Sequence, residues 1–538
     1  MQTFIFKNAN IFYNPEATPF NWLLTQNGRI IALGHKTDPI PKIEIDQKID
    51  LKQKYVLPAW GDAHLHSLWA ARLFLEIDLS PARSLQQALN ILKKAKNSFK
   101  PEQWVIGRGF NKNMWQDGQP DRQSLDRLFP RNPVYLESQD CHAAWVNSAA
   151  IKRIGLTKTA VDPPGGKFSR NANGEFSGLV FDKAMEIFKK VLPPPSEEQL
   201  LNALDRFVKQ LLKNGVTHIH TMEGAEALNL WQKYFKRFGR KMRVVFYFPV
   251  DEMENLIQAG LHSGFGDEWL RIGGIKIFTD GSLGSQTAAL RQPYENQTDN
   301  SGLLMYNESE LLKIVTRAQQ HHLAVAIHAI GDKAVEMVLK VLKQTEDLRK
   351  QNRLISRLEH AQLVTPDLIP LFKQFGVVAS MQPIHIADDV KTAETFWGQR
   401  SRFAYPIRSL LSHGITLAFG SDAPVAEANP LKGIFSAVWR KFKFDLTEPS
   451  WNPQESISVW QAFQAFSKGV ANAAMADTFL GELSPGKLAD FIVLDRSPFN
   501  ADPADFKKLH IEKTILNGNI VFNHPGKSAY LKRPHFLE

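Results

Sequence analysis

Six side chains able to hold a metal ion recur along this chain, each near the carboxyl end of a short apolar run: His64, His66, Lys276, His328, His360 and Asp422. The first two close the stretch Tyr55-Val-Leu-Pro-Ala-Trp-Gly-Asp-Ala-His64-Leu-His66. Side chains alternate along an extended backbone, so positions i and i+2 share one face, roughly 6.6 Å apart. Two imidazoles so placed can lean onto one ion, because zinc takes imidazole nitrogen at about 2.0 to 2.1 Å and leaves room for further ligands and a water. Alone, in a chain with 16 histidines, the pair reads as well as two polar residues ending a strand. Repetition carries the argument. Ile272-Gly-Gly-Ile-Lys276, Leu323-Ala-Val-Ala-Ile-His328, Ile355-Ser-Arg-Leu-Glu-His360 and Ile415-Thr-Leu-Ala-Phe-Gly-Ser-Asp422 each deliver a polar group after apolar residues.

Such a set suits metal-assisted hydrolysis. A divalent cation lowers the pKa of bound water from 15.7 to about 7 and polarises a carbonyl. Asp422 would take the proton of the attacking water and pass it to a departing amine. His328 and His360 would hold a metal or polarise the carbonyl oxygen. Plainer readings stand beside these: a lone strand histidine as a hydrogen-bonded core residue, and Asp422 after Gly-Ser as a helix cap. Lys276 is the ambiguous member, since an ammonium repels a cation. It becomes a ligand only when deprotonated and joined to carbon dioxide, a reaction that a lowered pKa in a buried site favours. The alternative is a protonated lysine paired with Asp280 beside a single zinc.

The elements that must gather these residues are strands with helices between them. Continuous apolar runs suit a parallel sheet buried on both faces. Ser196-Glu-Glu-Gln199 predicts a capped helix start, the stripe Leu200, Leu204, Phe207, Val208, Leu211 and Leu212 its buried face, and Gly215 its stop. Another strand follows from Val216. Repeated strand-helix units with polar groups at strand carboxyl ends describe an α/β fold, the (β/α)8 TIM barrel, whose active sites lie at that rim.

On these residues the chain resembles the metal-dependent amidohydrolase superfamily. The longer motifs Lys276-Ile-Phe-Thr-Asp-Gly-Ser-Leu-Gly-Ser-Gln-Thr-Ala-Ala-Leu290, Gly107-Arg-Gly-Phe, Asp140-Cys-His142-Ala-Ala-Trp-Val-Asn147-Ser, Pro163-Pro-Gly-Gly166 and Ser380-Met-Gln-Pro-Ile-His385 resemble its YtcJ-like branch, which includes N-substituted formamide deformylases. The likeness runs nearly end to end. It implies His-x-His on barrel strand one, a carbamylated lysine or a glutamate on strand four, one histidine each on strands five and six, and an aspartate on strand eight. It also implies zinc, as one or two divalent ions.

Chain organisation follows from turn chemistry. Asn27-Gly28 and Asn517-Gly518 each lie between apolar runs, as hairpins prefer. Residues 1–56 and 475–538 are expected to combine into a small β-sandwich beside a barrel over 57–474. The stretch from about 75 to 190 exceeds the barrel count and reads as an insertion after strand one, folding over the barrel mouth, while segments at Val216 and Met242 supply strands two and three. The tail after Asn523 looks irregular. His218 and His220 form a second His-x-His on strand two, read as packing or, for His220, a substrate contact; His142, Asp280 and His385 are likewise candidate substrate contacts. Trp69, Phe110, Trp115 and Trp145 suggest an apolar N-substituent on the substrate, although core packing explains them nearly as well.

Composition sets the outer bounds. At 538 residues and 43% hydrophobic content the chain holds more than one structural unit. One cysteine, Cys141, excludes an internal disulfide and reads as a structural thiol; with no charged and apolar leader, it predicts a cytoplasmic protein. No run approaches the roughly 18 apolar residues of a membrane span. A charge of +10 is scattered, and the cluster Lys233 to Lys241 reads as a solvated helix end, so neither nucleic acid nor membrane is the expected partner. The expected partner is a small molecule, an N-substituted amide; a homo-oligomer fits equally. The expectation is therefore hydrolysis of a C–N bond, with His360 and Asp422 closest to the chemistry. The rivals are a hydrolase of an ester, lactone or cyclic urea on the same scaffold, or a non-catalytic scaffold protein.

Overall fold

The computed structural model describes residues 2–112, 115–139 and 142–525. Asp140 and Cys141 of the Asp-Cys-His motif, and most of the tail after Asn523, lie outside them.

Eight parallel strands form one sheet: β1 (Trp60–Leu65), β2 (Val216–Thr221), β3 (Arg243–Pro249), β4 (Leu270–Phe278), β5 (Ala324–Ala329), β6 (Ser356–His360), β7 (Val377–Met381) and β8 (Leu417–Phe419). Each pairs with the next in chain order, and β1 pairs with β2. The circle closes just beyond β8. Leu65 bridges Ala423 in parallel, the Asp422 N–H donates to the His64 carbonyl at 2.6 Å, and the His66 N–H donates to the Ala423 carbonyl at 2.7 Å. This is the (β/α)8 barrel. Its strands are buried throughout in β1, β2, β5, β6, β7 and β8, as helices on the outer face require.

Local chemistry places the boundaries. The helix Glu197–Lys213 begins where expected, with the Gln199 N–H donating to Ser196 Oγ at 3.3 Å and the Gln199 side chain accepting from the Ser196 N–H at 2.8 Å. Gly215 ends it at φ +77°, a conformation that glycine adopts without steric cost. The basic residues before Lys241 end the helix Ala225–Phe238 and are largely exposed.

Both termini build one continuous seven-stranded sheet, in the order Asn519–Asn523, Ile511–Leu516, Phe491–Leu494, Gln47–Pro58, Thr3–Ile11, Phe20–Gln26, Arg29–Gly34. Its two Asn-Gly turns are tight hairpins with both residues at positive φ. Phe6, Leu23, Val56, Phe491 and Ile515 form its buried core. Asp490 fastens it to the amino end of the barrel, its carboxylate accepting from Arg243 Nε at 2.7 Å and Nη2 at 3.0 Å. Chemistry at the opposite end of the strands is thereby left free.

The insertion after β1 forms a second compact unit, Ala71–Arg206. It carries a six-stranded mixed sheet in the order Gly166–Arg170, Phe176–Asp182, Ala143–Val146, Val134–Ser138, Val105–Phe110, Ile77–Asp78. Phe110, Trp115 and Trp145 pack against one another in its core. Core packing therefore accounts for these three rings, and their reading as substrate contacts is corrected. Among the described residues, no helix is long and apolar enough to cross a membrane.

Candidate metal centre and active site

Barrel closure brings strand one against the segment after strand eight. His64, His66 and Asp422 consequently offer three ligand atoms within 4.8 Å of one another. Asp422 Oδ1 lies 3.2 Å from His66 Nε2 and 3.5 Å from His64 Nε2. The approach depends on Gly420, where a Cβ would fall 2.6 Å from the His64 nitrogen and 2.8 Å from Asp62 Oδ1. Asp62 ties the strands together by accepting from the His64 and Ser421 N–H groups at 3.1 and 3.0 Å.

His360 arrives by a different device. Strand alternation would send neighbours Glu359 and His360 to opposite faces of β6. Yet Glu359 Oε2 lies 2.7 Å from His64 Nδ1, and the His360 ring centroid lies 4.8 Å from that of His64. The backbone of His360 is left-handed, φ +72°, which turns its ring inward. Asp422 is also left-handed, φ +59°. Such conformations cost a non-glycine residue about 1 to 2 kcal/mol and mark positions that the surrounding structure must hold. His328 completes the row, its ring centroid 4.5 Å from that of His360.

Each of the four imidazoles has one nitrogen committed to a protein acceptor. The Nδ1–H of His64 donates to Glu359 at 2.7 Å, that of His66 to the Met222 carbonyl at 3.2 Å, and that of His360 to Gln382 Oε1 at 2.8 Å. His328 is inverted. Its Nε2–H donates to the Gly281 carbonyl at 3.0 Å, and its Nδ1 is buried without a partner. Donation from one nitrogen fixes the tautomer and leaves a lone pair on the other. A bound metal would meet Nε2 of His64, His66 and His360 and Nδ1 of His328 as lone pairs; without one, His66 Nε2 donates to Asp422 at 3.2 Å. Lys276 Nζ is buried with no hydrogen-bond partner, 4.6 Å from the Phe278 ring centroid. These orphaned nitrogens and the adjoining carboxylate fit a divalent metal. The alternative pairing of Lys276 with Asp280 is not formed.

Electrostatics agree. Burial lowers the Lys276 ammonium to about 8. Burial, with the Lys276 charge beside it, lowers His64 to about 4, and burial with neighbouring His328 and His64 holds His360 well below its usual value. Asp422 goes the other way from simple burial: desolvation would raise it, but the hydrogen bond with His66 and the imidazoles of His64, His360 and His385 hold its carboxyl below the usual range.

The remaining expected residues scatter. His385 sits on the turn Pro383–His385 with Nε2 3.2 Å from the Ser421 carbonyl, close to Asp422. His142 belongs to the second unit and pairs with Asp182 at 2.8 Å. Asp280 is fully buried and accepts backbone N–H bonds from Ala289, Ile330 and Gly331. His220 is fully buried with Nδ1 2.8 Å from Arg357 Nη1. Both are enclosed within the scaffold, Asp280 with Oδ1 also 3.3 Å from His328 Nε2. His218 is buried as well, its ring over Gly61.

Sequence reading passed over three supports. Arg357 and Glu359 form a fully buried pair at 2.8 Å, and Arg357 also donates to the Ala63 carbonyl at 2.6 Å and to Ser380 Oγ at 3.0 Å. Gln382 orients His360. Glu223 accepts from Ser67 Oγ and from the Leu68 and Trp69 N–H groups at 2.8 to 3.0 Å, fixing the helix Ser67–Leu73 that starts directly after His66. Two charges in one five-residue buried strand, Arg357 and Glu359, were the available signal.

The model of the Amidohydrolase family matches residues 47–522. The chain belongs to this family. Within the amidohydrolases it falls in the YtcJ-like, deformylase-like branch. It is 33% identical over 489 residues to the putative amidohydrolase YtcJ of Bacillus subtilis (strain 168), covering 88% of this chain and 90% of that protein. It is 24% identical over 525 residues to the N-substituted formamide deformylase of Arthrobacter pascens, covering 94% and 95%. Among solved structures, an uncharacterized metal-dependent hydrolase from Pyrococcus horikoshii OT3 superposes with a TM-score of 0.73 at 28% identity, over 94% of this chain and 99% of that one.

Proposed function

We propose that this amidohydrolase cleaves the C–N bond of an N-substituted amide or formamide at a divalent-metal centre, with zinc as the metal. The observation that carries this reading is the convergence of His64, His66 and Asp422, flanked by His328, His360 and a buried, unpartnered Lys276. These six would hold one or two ions, Lys276 as its carbamate. When bound, the metal acidifies water and polarises the carbonyl of the substrate.

The protein's own groups then move the proton. Asp422, ionised at neutral pH, accepts a proton from water as the water oxygen bonds to the carbonyl carbon. As the C–N bond breaks, Asp422 returns that proton to the departing nitrogen, so water and amide become carboxylic acid and amine. His360, held by Gln382, lies where it can ligate or face the carbonyl oxygen. His385, beside Asp422, is the candidate substrate contact from the barrel. A single cysteine fits a reducing compartment such as the cytoplasm.

The test is turnover of N-benzylformamide and related amides by the zinc-loaded protein and by Asp422→Asn, with metal content measured in both. Loss of about 10²- to 10⁴-fold in kcat, as for removal of a proton-transfer group, supports the reading. Equal activity removes Asp422 from the mechanism.

A further inference from the structure

The rim of the barrel site is nearly devoid of cations. In the connections after β2 to β8, namely residues 222–224, 250–252, 279–307, 330–331, 361–368, 382–385 and 420–429, the sequence holds one lysine or arginine, Arg291. That guanidinium is committed to Glu336 at 2.9 Å and Asp367 at 3.0 Å. Five large apolar side chains stand exposed around the same rim: Trp69 at 49%, Phe278 at 42%, Leu303 at 60%, Met305 at 49% and Val425 at 60%. Exposed apolar groups clustered about a polar centre mark a ligand surface, because singly scattered ones would need no common location.

They fall on two sides of the centre. Trp69 lies against His66, ring centroids 5.7 Å apart, and the Val425 N–H donates to the Asp422 carbonyl at 2.8 Å. Phe278 lies against His328 at 5.1 Å and beneath Lys276, and the segment of Leu303 and Met305 is tied to that strand end by the Met305 N–H donating to the Thr279 carbonyl at 2.9 Å. Asp422 must protonate the leaving nitrogen, so the amine substituent belongs on the Trp69 and Val425 side. The carbonyl's other substituent then extends toward Phe278, Leu303 and Met305.

Resting on the amidase reading above, we infer that the substrate is an uncharged amide with apolar groups on both sides of the scissile bond, its acyl part an alkyl or aryl chain larger than formyl. In these seven connections, all among the described residues, the one guanidinium is already paired, so they offer an anionic substrate no cation of their own.

The experiment is a substrate matrix measured as kcat/KM on the zinc-loaded protein: N-benzyl amides of formic, acetic, butyric and hexanoic acids, hexanoyl amides of methylamine and benzylamine, and hexanoylglycine as the anionic probe. A methylene taken fully out of water corresponds to about a fourfold gain, so the acyl series should climb by up to that factor per added carbon. Leu303→Ala combined with Met305→Ala should flatten the acyl series and keep the benzyl-over-methyl ratio; Trp69→Ala should do the reverse. Both variants alter exposed residues, and within-enzyme ratios are insensitive to the folded fraction. A flat acyl series with good formamide turnover, equal use of hexanoylglycine, or variants that lower both series alike would overturn the inference while leaving the amidase reading intact. No turnover of any amide by folded, zinc-loaded protein would overturn both.

Discussion

Glu359 sets the tautomer of His64, and Glu359→Gln is the perturbation that exposes this. The carboxylate accepts from His64 Nδ1 at 2.7 Å and from Arg357 Nε and Nη2 at 2.8 and 3.0 Å, all of it buried. Burial would raise its pKa, but the Arg357 charge and the His64 hydrogen bond hold it well below the ordinary value. Oε2 serves both His64 and Arg357 Nη2 and Oε1 serves Arg357 Nε, and a glutamine oxygen can take only one of these two places. Turned to Arg357, its amide group donates to His64 Nδ1, which moves the ring proton to Nε2 and blocks the metal-facing lone pair. Placed toward His64, it still accepts from Arg357 Nη2 but sets the amide NH2 against Arg357 Nε and removes the carboxylate charge from the guanidinium. Partners of metal-ligating histidines are typically worth 10- to 100-fold in metal affinity, or about 1.4 to 2.7 kcal/mol. Stranding a buried charge costs about 3 to 5 kcal/mol; the lower end applies here because Arg357 keeps the Ala63 carbonyl, Ser380 and His220. The assays are zinc titration against a competing chelator and urea unfolding of the metal-free protein. The expected result is 10- to 100-fold weaker zinc binding in the folded variant and a stability loss near 3 kcal/mol. Folded Glu359→Gln protein that binds zinc as tightly as the wild type would refute the tautomer argument.

Gly420→Ala should lower stability by about 1 to 3 kcal/mol, the usual cost of overpacking, and weaken zinc binding with it, because the added methyl drives β8 from β1 at His64 and Asp62; a neutral effect in thermal unfolding and zinc titration would argue against the closure described. Carbamate formation requires the neutral amine, and burial lowers Lys276 to about 8. After acid stripping, recarbamylation of metal-free protein in labelled bicarbonate should therefore be slight below pH 7 and rise through about pH 8, followed by carbon-13 NMR; a profile rising only near pH 10 would contradict a lowered pKa. Glu223→Gln keeps the size but weakens acceptance from Leu68 and Trp69, so a loss of about 1 kcal/mol is expected, with a rise in KM exceeding any fall in kcat if Trp69 is displaced; unchanged unfolding would show the cap to be dispensable.

The barrel was legible because each strand is a buried apolar run with a chemical group at its end, which constrains both period and position. Lys276, His328 and His360 could be placed at strand ends for that reason, and the family resemblance numbered those strands four, five and six. Less legible was anything depending on backbone departures from regular strand. Alternation would put His360 on the outer face, and only its left-handed φ turns it in. Asp422 lies three residues past β8, and its meeting with His64 depends on a single bridge and on Gly420 lacking a side chain. Asp280 read as a substrate contact or a partner of Lys276, whereas its oxygens accept from the backbone amides of Ala289, Ile330 and Gly331. The aromatics Phe110, Trp115 and Trp145 carry no periodic signal separating a core from a binding surface, and the core claimed them.

The most direct test of the central claim is anomalous diffraction from crystals grown with zinc. The account predicts a metal peak about 2.0 to 2.2 Å from Nε2 of both His64 and His66 and from the Asp422 carboxylate. A peak elsewhere, with these three side chains left unligated in an active protein, would contradict it.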